Sequence, residues 1–129
     1  MTERTIRDPW HRQSVTFVTT ARDSGGEFLA AEVRLASGGT VPRHIHLRQD
    51  ERVVVAEGSV MVRVGGQDSV IHAGESIDVP RRTLHFVRNQ GPAEARFLLQ
   101  VRPARRMEAA MRALFFVLRG LARLLRRSS

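Results

Sequence analysis

Two histidines one residue apart, His44 and His46, are followed by a carboxylate at Glu51 within the segment 38–58, GGTVPRHIHLRQDERVVVAEG. In an extended strand, residues two apart face the same side, so both imidazoles aim into one space. A short turn over 47–50 would bring Glu51 back toward them. Neutral imidazoles with a carboxylate form a ligand set for a divalent transition metal. An ion held there can act as a Lewis acid, lower the pKa of bound water or, if redox-active, bind oxygen. A third histidine, His85, sits in a segment that reads as a strand. Taken alone, such a residue is more often part of a core or a surface than a ligand.

The elements that must position these residues are short strands. The segment 14–20, SVTFVTT, is rich in β-branched residues, DSGG at 23–26 reads as a turn, and 28–35 alternates enough to follow as a second strand. Pro42 keeps the approach to His44 extended. Strands are expected over 52–56, 60–64, Gln67–His72, Ser76–Val79, 84–88 and Ala95–Arg102. Gly65-Gly66 supplies a two-residue hairpin turn. Many short strands separated by Gly-rich turns predict an all-β antiparallel barrel or sandwich. After Pro103 the period changes. Met107, Met111, Leu114, Leu118, Leu121 and Leu125 recur at helical spacing, widened by Phe115, Val117, Ala122 and Leu124. Arg105, Arg112, Arg119 and Arg126 fall on the far side, which makes this a basic amphipathic helix with one interior weakness, Gly120.

Composition narrows the classes. A chain of 129 residues suits one core, and its 42% apolar content is adequate for folding. It has no cysteine, which excludes disulfides, thiolate ligands and a cysteine nucleophile. All 21 basic residues are arginine. Seven of them follow residue 104 against a single acid, Glu108, so the charge of +8 belongs mainly to the tail. A nearly balanced body weakens a nucleic-acid reading. The polar start, MTERTIRDPWHRQ, has no apolar leader, so a cytoplasmic location is the expectation.

The segment 74–89, GESIDVPRRTLHFVRN, changes the standing of His85. With 38–58 it resembles the cupin superfamily. The first cupin motif, G-x5-H-x-H-x4-E-x6-G, is matched by Gly38, His44, His46, Glu51 and Gly58. The second, G-x5-P-x-G-x2-H-x3-N, is matched by Gly74, Pro80, His85 and Asn89, with Arg82 at its inner glycine. A glycine there permits a left-handed backbone, so Arg82 puts the turn geometry in question. The resemblance implies a cupin-type jelly-roll β-barrel over 13–103; the residues themselves read as an irregular N-terminal arm over 1–12 and the helix over 104–129. It also implies a metal held by His44, His46, Glu51 and His85, with iron or manganese favoured and zinc, nickel, cobalt or copper admissible.

Strand alternation places Val53 and Val55 on the face of Glu51, and Val87 on that of His85, with Phe17 and Phe28 as further cavity candidates. Such a pocket suits a small aromatic or keto-type molecule. Arg43, Arg48 and Arg82 flank the motifs and could attract an anion. The resulting expectation is a metal-dependent, oxygenase-type enzyme. An isomerase or cyclase of secondary metabolism, or a non-catalytic metal- or metabolite-binding sensor, stands as the alternative. For the helix, packing on its own body or in a homodimer through 104–126 is expected, ahead of a membrane surface and of nucleic acid.

Overall fold

The computed structural model describes residues 4–128. Among the described residues ten strands form two antiparallel sheets, followed by a C-terminal helix. The larger sheet runs in the order β1 (Thr5–Asp8), β2 (Gln13–Thr19), β3 (Leu29–Leu35), β10 (Ala95–Arg102), β5 (Asp50–Glu57), β8 (Ser76–Val79). The smaller runs β4 (Thr40–His44), β9 (His85–Arg88), β6 (Ser59–Val64), β7 (Gln67–His72). A helical turn, α1 (Ala21–Ser24), links β2 to β3, and α2 (Met107–Ser128) ends the chain.

Period-2 patterning explains which face each strand buries. In β10, Ala95, Phe97, Leu99 and Val101 are buried and their neighbours are less so; β5 buries Glu51, Val53 and Val55. These side chains meet Val60, Val62 and Val87 of the other sheet in one apolar cluster. The core therefore lies between the sheets, and its burial is the main stabilising term. Gly58 turns β5 into β6 with φ of 71°, and a Cβ there would come within 3.2 Å of the Glu94 carbonyl. Asn89, the last residue of the second motif, is structural. Its buried amide donates to the Leu35 and Ala93 carbonyls and accepts from Gly91 N–H.

Three expectations need correction. The arm is not irregular over Thr5–Asp8, which pairs with β2 from Thr5↔Thr16 to Asp8↔Gln13. The neighbouring strand, rather than local propensity, makes TIRD extended. The turn expected over 23–26 begins as α1, whose capping box joins the Thr20 and Asp23 side chains to each other's backbone N–H. His46 also lies outside the strand, because β4 ends at His44.

Helix α2 takes its own body as partner. Phe115 is buried, and Met107 and Met111 pack against the same core cluster. Trp10 donates its indole N–H to the Leu118 carbonyl at 2.7 Å, and Arg119 reaches the Arg7 carbonyl. The single apolar stripe read from the sequence is split: Leu114, Leu121 and Leu125 are exposed.

Candidate metal centre

His44 and His85 face each other directly across the β4–β9 ladder, and Glu51 starts the buried row of β5 between β8 and β10. A register shift between Val41 and His44 turns the end of β4. Bulges of this kind re-aim a side chain beside a site. His46 enters from the loop after β4, which is tied down twice. Arg82 N–H donates to the His46 carbonyl at 2.6 Å. The buried Gln49 amide donates to the Pro103 and Ala104 carbonyls, joining the loop to the entry of α2.

Arg82 has φ of 64°, so arginine occupies the left-handed conformation for which the motif's glycine is suited. That conformation costs a non-glycine residue about 1–2 kcal/mol. Arg82→Gly is expected to raise stability by about 1 kcal/mol, less the extra chain entropy of glycine. Urea unfolding checks this; no gain, or a loss, contradicts the strain.

The ligand atoms of His44, His46, Glu51 and His85 all lie within 4.8 Å of one another. With metal–nitrogen and metal–oxygen bonds of about 2.0–2.2 Å, that spread would let the four side chains hold one ion after a small contraction. The three rings converge, with centroids 4.1 Å apart for His44–His85, 4.8 Å for His44–His46 and 5.4 Å for His46–His85. His44 Nδ1 donates to the Pro42 carbonyl at 2.7 Å, and His85 Nδ1 to the Thr83 carbonyl at 2.9 Å. A carbonyl only accepts, so those protons sit on Nδ1, and in the neutral ring each Nε2 is left as a lone pair. This is the outer-shell arrangement that orients histidine ligands.

Two buried nitrogens, His46 Nε2 and His85 Nε2, have no hydrogen-bond partner among the described residues. His85 Nε2 lies 2.7 Å from Glu51 Oε2, close but not aligned as a hydrogen bond, and His46 Nε2 lies 3.9 Å from Oε1. Unpaired buried polar atoms are costly, and lone pairs facing a carboxylate are satisfied by a cation between them. The residues therefore fit a divalent ion. Protonation follows the same field. Burial pushes His46 down to about 4, partly offset by Glu51, and burial followed by the His85 charge lowers His44. Burial also opposes charging of His85, but its contact with the Glu51 carboxylate and the Thr83 carbonyl holds it above its ordinary value. His44 and His46, held neutral, are ready to bind metal, and His85 would bind on releasing its proton.

The cluster opens onto a cavity of about 300 Å³. Val53 and Val87 line it, as do Val15, Val33, Phe97 and Leu99. Phe17, Phe28 and Val55 do not. Phe17 is buried in the core with the Arg112 guanidinium over its ring, and Phe28 lies half-buried beneath that of Arg102. Val55 is buried one step farther along β5, paired with Phe97. Of the flanking arginines Arg43 reaches the cavity, whereas Arg48 and Arg82 are exposed away from it.

Sequence reasoning missed the roof and the far wall. Met107, Ala110, Met111, Leu114 and Phe115 of α2 line the cavity, as does Gln13. The amide of Gln13 donates to Asp8 at 3.0 Å, and Asp8 also holds the His11 ring and the Trp10 N–H. The Met107–Met111–Phe115 spacing was the available signal for the roof. No pattern marked Gln13.

Comparison with known proteins agrees with the geometry. Residues 31–101 match the cupin domain family. The tetracenomycin polyketide synthase protein TcmJ of Streptomyces glaucescens is 30% identical over 74% of this chain and 66% of its own length. Oxalate oxidase GF-2.8 of Triticum aestivum is 41% identical over 49% of this chain, and the chain spans 32% of that protein. An RmlC-like cupin from Shewanella frigidimarina superposes with a TM-score of 0.66 at 25% identity, covering 78% of this chain and 84% of that one. Two antiparallel sheets, both motifs in place and a match over more than half the residues lead to one conclusion: this chain belongs to the cupin family.

Proposed function

We propose that this protein is a metal-dependent cupin enzyme acting on a small aromatic or keto-type molecule, with oxygenase-type chemistry. One observation carries the reading: the four ligand side chains open directly onto a cavity walled by aliphatic and aromatic residues. His44, His46, Glu51 and His85 would hold one divalent transition metal, iron or manganese first. Such an ion supplies Lewis acidity and, if redox-active, oxygen chemistry. The chain's own residues do the rest. Val53, Val87, Phe97 and Leu99 bind the apolar body of the substrate and exclude water. Arg43 at the rim attracts an anionic or enolic oxygen, and the Gln13 amide, oriented by Asp8, offers a polar contact at the far wall.

Likeness to TcmJ supports a substrate of the polyketide kind. Likeness to oxalate oxidase does not carry oxalate with it. A small dianion needs several donors, and the cavity offers one guanidinium among largely apolar walls. A second reading, a cupin that binds a metabolite without turnover, is favoured by the lining. Among the described lining residues, no histidine or carboxylate beyond the four ligands stands ready as a separate acid or base.

Metal analysis of the freshly purified protein, followed by oxygen uptake with aromatic and diketone compounds, tests the proposal. Metal near one equivalent with substrate-dependent uptake is expected. A redox-active metal without uptake or conversion of any compound that binds favours the second reading.

A further inference from the structure

Helix α2 carries two apolar faces. One is used: Phe115 is 2% exposed, and Met107 and Met111 pack beside it. On the other, Phe116 is 73% exposed, Leu124 62%, Val117 54% and Leu121 47%, while Leu114, half in solvent, borders the cavity. At about 100° per residue these four fall within an arc of roughly 140°. Arg123 is exposed beside this arc, whereas Arg112 stacks over Phe17 and pairs with Glu108, and Arg119 donates to the Arg7 carbonyl. Large side chains gathered this way on a surface mark a contact with something apolar.

Charge selects what that contact is. From Arg105 onward the chain has seven arginines and one acid, Glu108. A second copy of α2 would bring the same excess, with no acid after Glu108 to oppose it, so copy-on-copy packing sets arginine near arginine. Nucleic acid would use the arginines and leave the apolar arc in water. A bilayer with anionic headgroups satisfies both: the arc enters the interface and the arginines meet the phosphates. Trp10 is 46% exposed and hydrogen-bonded to the Leu118 carbonyl, which sets beside the helix an aromatic side chain suited to an interface. No helix among the described residues is long and apolar enough to cross a membrane, so the contact is lateral.

We propose that α2 docks this protein on anionic lipid surfaces through Phe116, Val117, Leu121 and Leu124, while its inner face roofs the cavity. The proposal depends neither on the metal nor on the reaction. An apolar substrate dissolved in the bilayer would then meet a protein whose cavity roof rests on that bilayer.

The test uses the full chain in vesicle flotation, with phosphatidylcholine alone and with an equal mixture of phosphatidylcholine and phosphatidylglycerol. Recovery with the mixed vesicles should exceed that with phosphatidylcholine by at least about tenfold and fall with added salt. The emission of Trp10, the sole tryptophan, should shift to the blue. Leu121→Gln combined with Leu124→Gln should cut recovery by about tenfold with an unchanged melting temperature. Arg123→Gln should weaken binding to the mixed vesicles alone. Absence of flotation overturns the proposal, as does unchanged binding by the double variant. A dimer that the double variant dissociates, with no lipid binding by either form, assigns the face to a second copy and overturns it too.

Discussion

Alanine at His85 is expected to reduce retained metal to less than a tenth of the wild-type content while the two sheets stay folded. The side chain is fully buried, its Nδ1 is committed to the Thr83 carbonyl and its Nε2 points at Glu51 without a hydrogen bond. Losing an outer-shell partner alone costs about 10–100-fold in metal affinity, so losing the ligand itself should exceed that. Two further readouts separate ligand loss from unfolding. Added metal stabilises the wild type by mass action, about 2.7 kcal/mol at a hundred times the dissociation constant, a shift of several degrees in melting temperature. In the variant that shift should vanish although the apo protein still melts cooperatively. His44→Ala, at a less buried position, should behave the same way with less disturbance of the core. Wild-type metal content in both variants would sink the assignment of the site.

Much of this site was legible because coordination chemistry constrains residue type and spacing together. His44, His46 and Glu51 stand out without any fold, and His85 became interpretable once the second motif was seen. Strand bounds were read well where turn residues punctuate an alternating run. Gln67–His72, Ser76–Val79 and Ala95–Arg102 have the bounds expected of them. What was not legible depends on tertiary approach. The strand at Thr5–Asp8 exists because β2 offers its edge, and the position of His46 is set by Arg82 N–H and by Gln49 rather than by strand geometry. The buried Asp8–Gln13 pair brings an amide to the cavity from a strand remote in sequence from every ligand, and no local pattern announces it. The helix misled in a specific way. Its apolar surface is wider than one contact needs, so a single stripe in the sequence became an inner face on the body and an outer face in water.

That division makes Phe115→Ala the second large effect, and it asks whether α2 belongs to the core or only rests on it. Phe115 is 2% exposed, belongs to the main apolar cluster and forms part of the cavity roof. Truncating a fully buried phenylalanine typically costs about 3–5 kcal/mol through lost transfer energy and the void left behind. A void here would merge with the existing cavity rather than close, which places the expected cost toward the upper end. The neighbouring Phe116 is 73% exposed, so Phe116→Ala should change stability by no more than about 0.5 kcal/mol. Residues one apart on a helix, with the same side chain, should thus differ several-fold in effect. Urea unfolding measures both, and trypsin sharpens the distinction because Arg112, Arg119 and Arg123 are cleavable only when the helix opens locally. If Phe115→Ala loosens the roof without unfolding the sheets, cleavage in α2 should precede global unfolding and metal retention should survive, since all four ligands lie in the β structure and its loops. Equal effects of the two substitutions would mean that the inner face is not part of the core, and the cavity would then be an open groove without a roof.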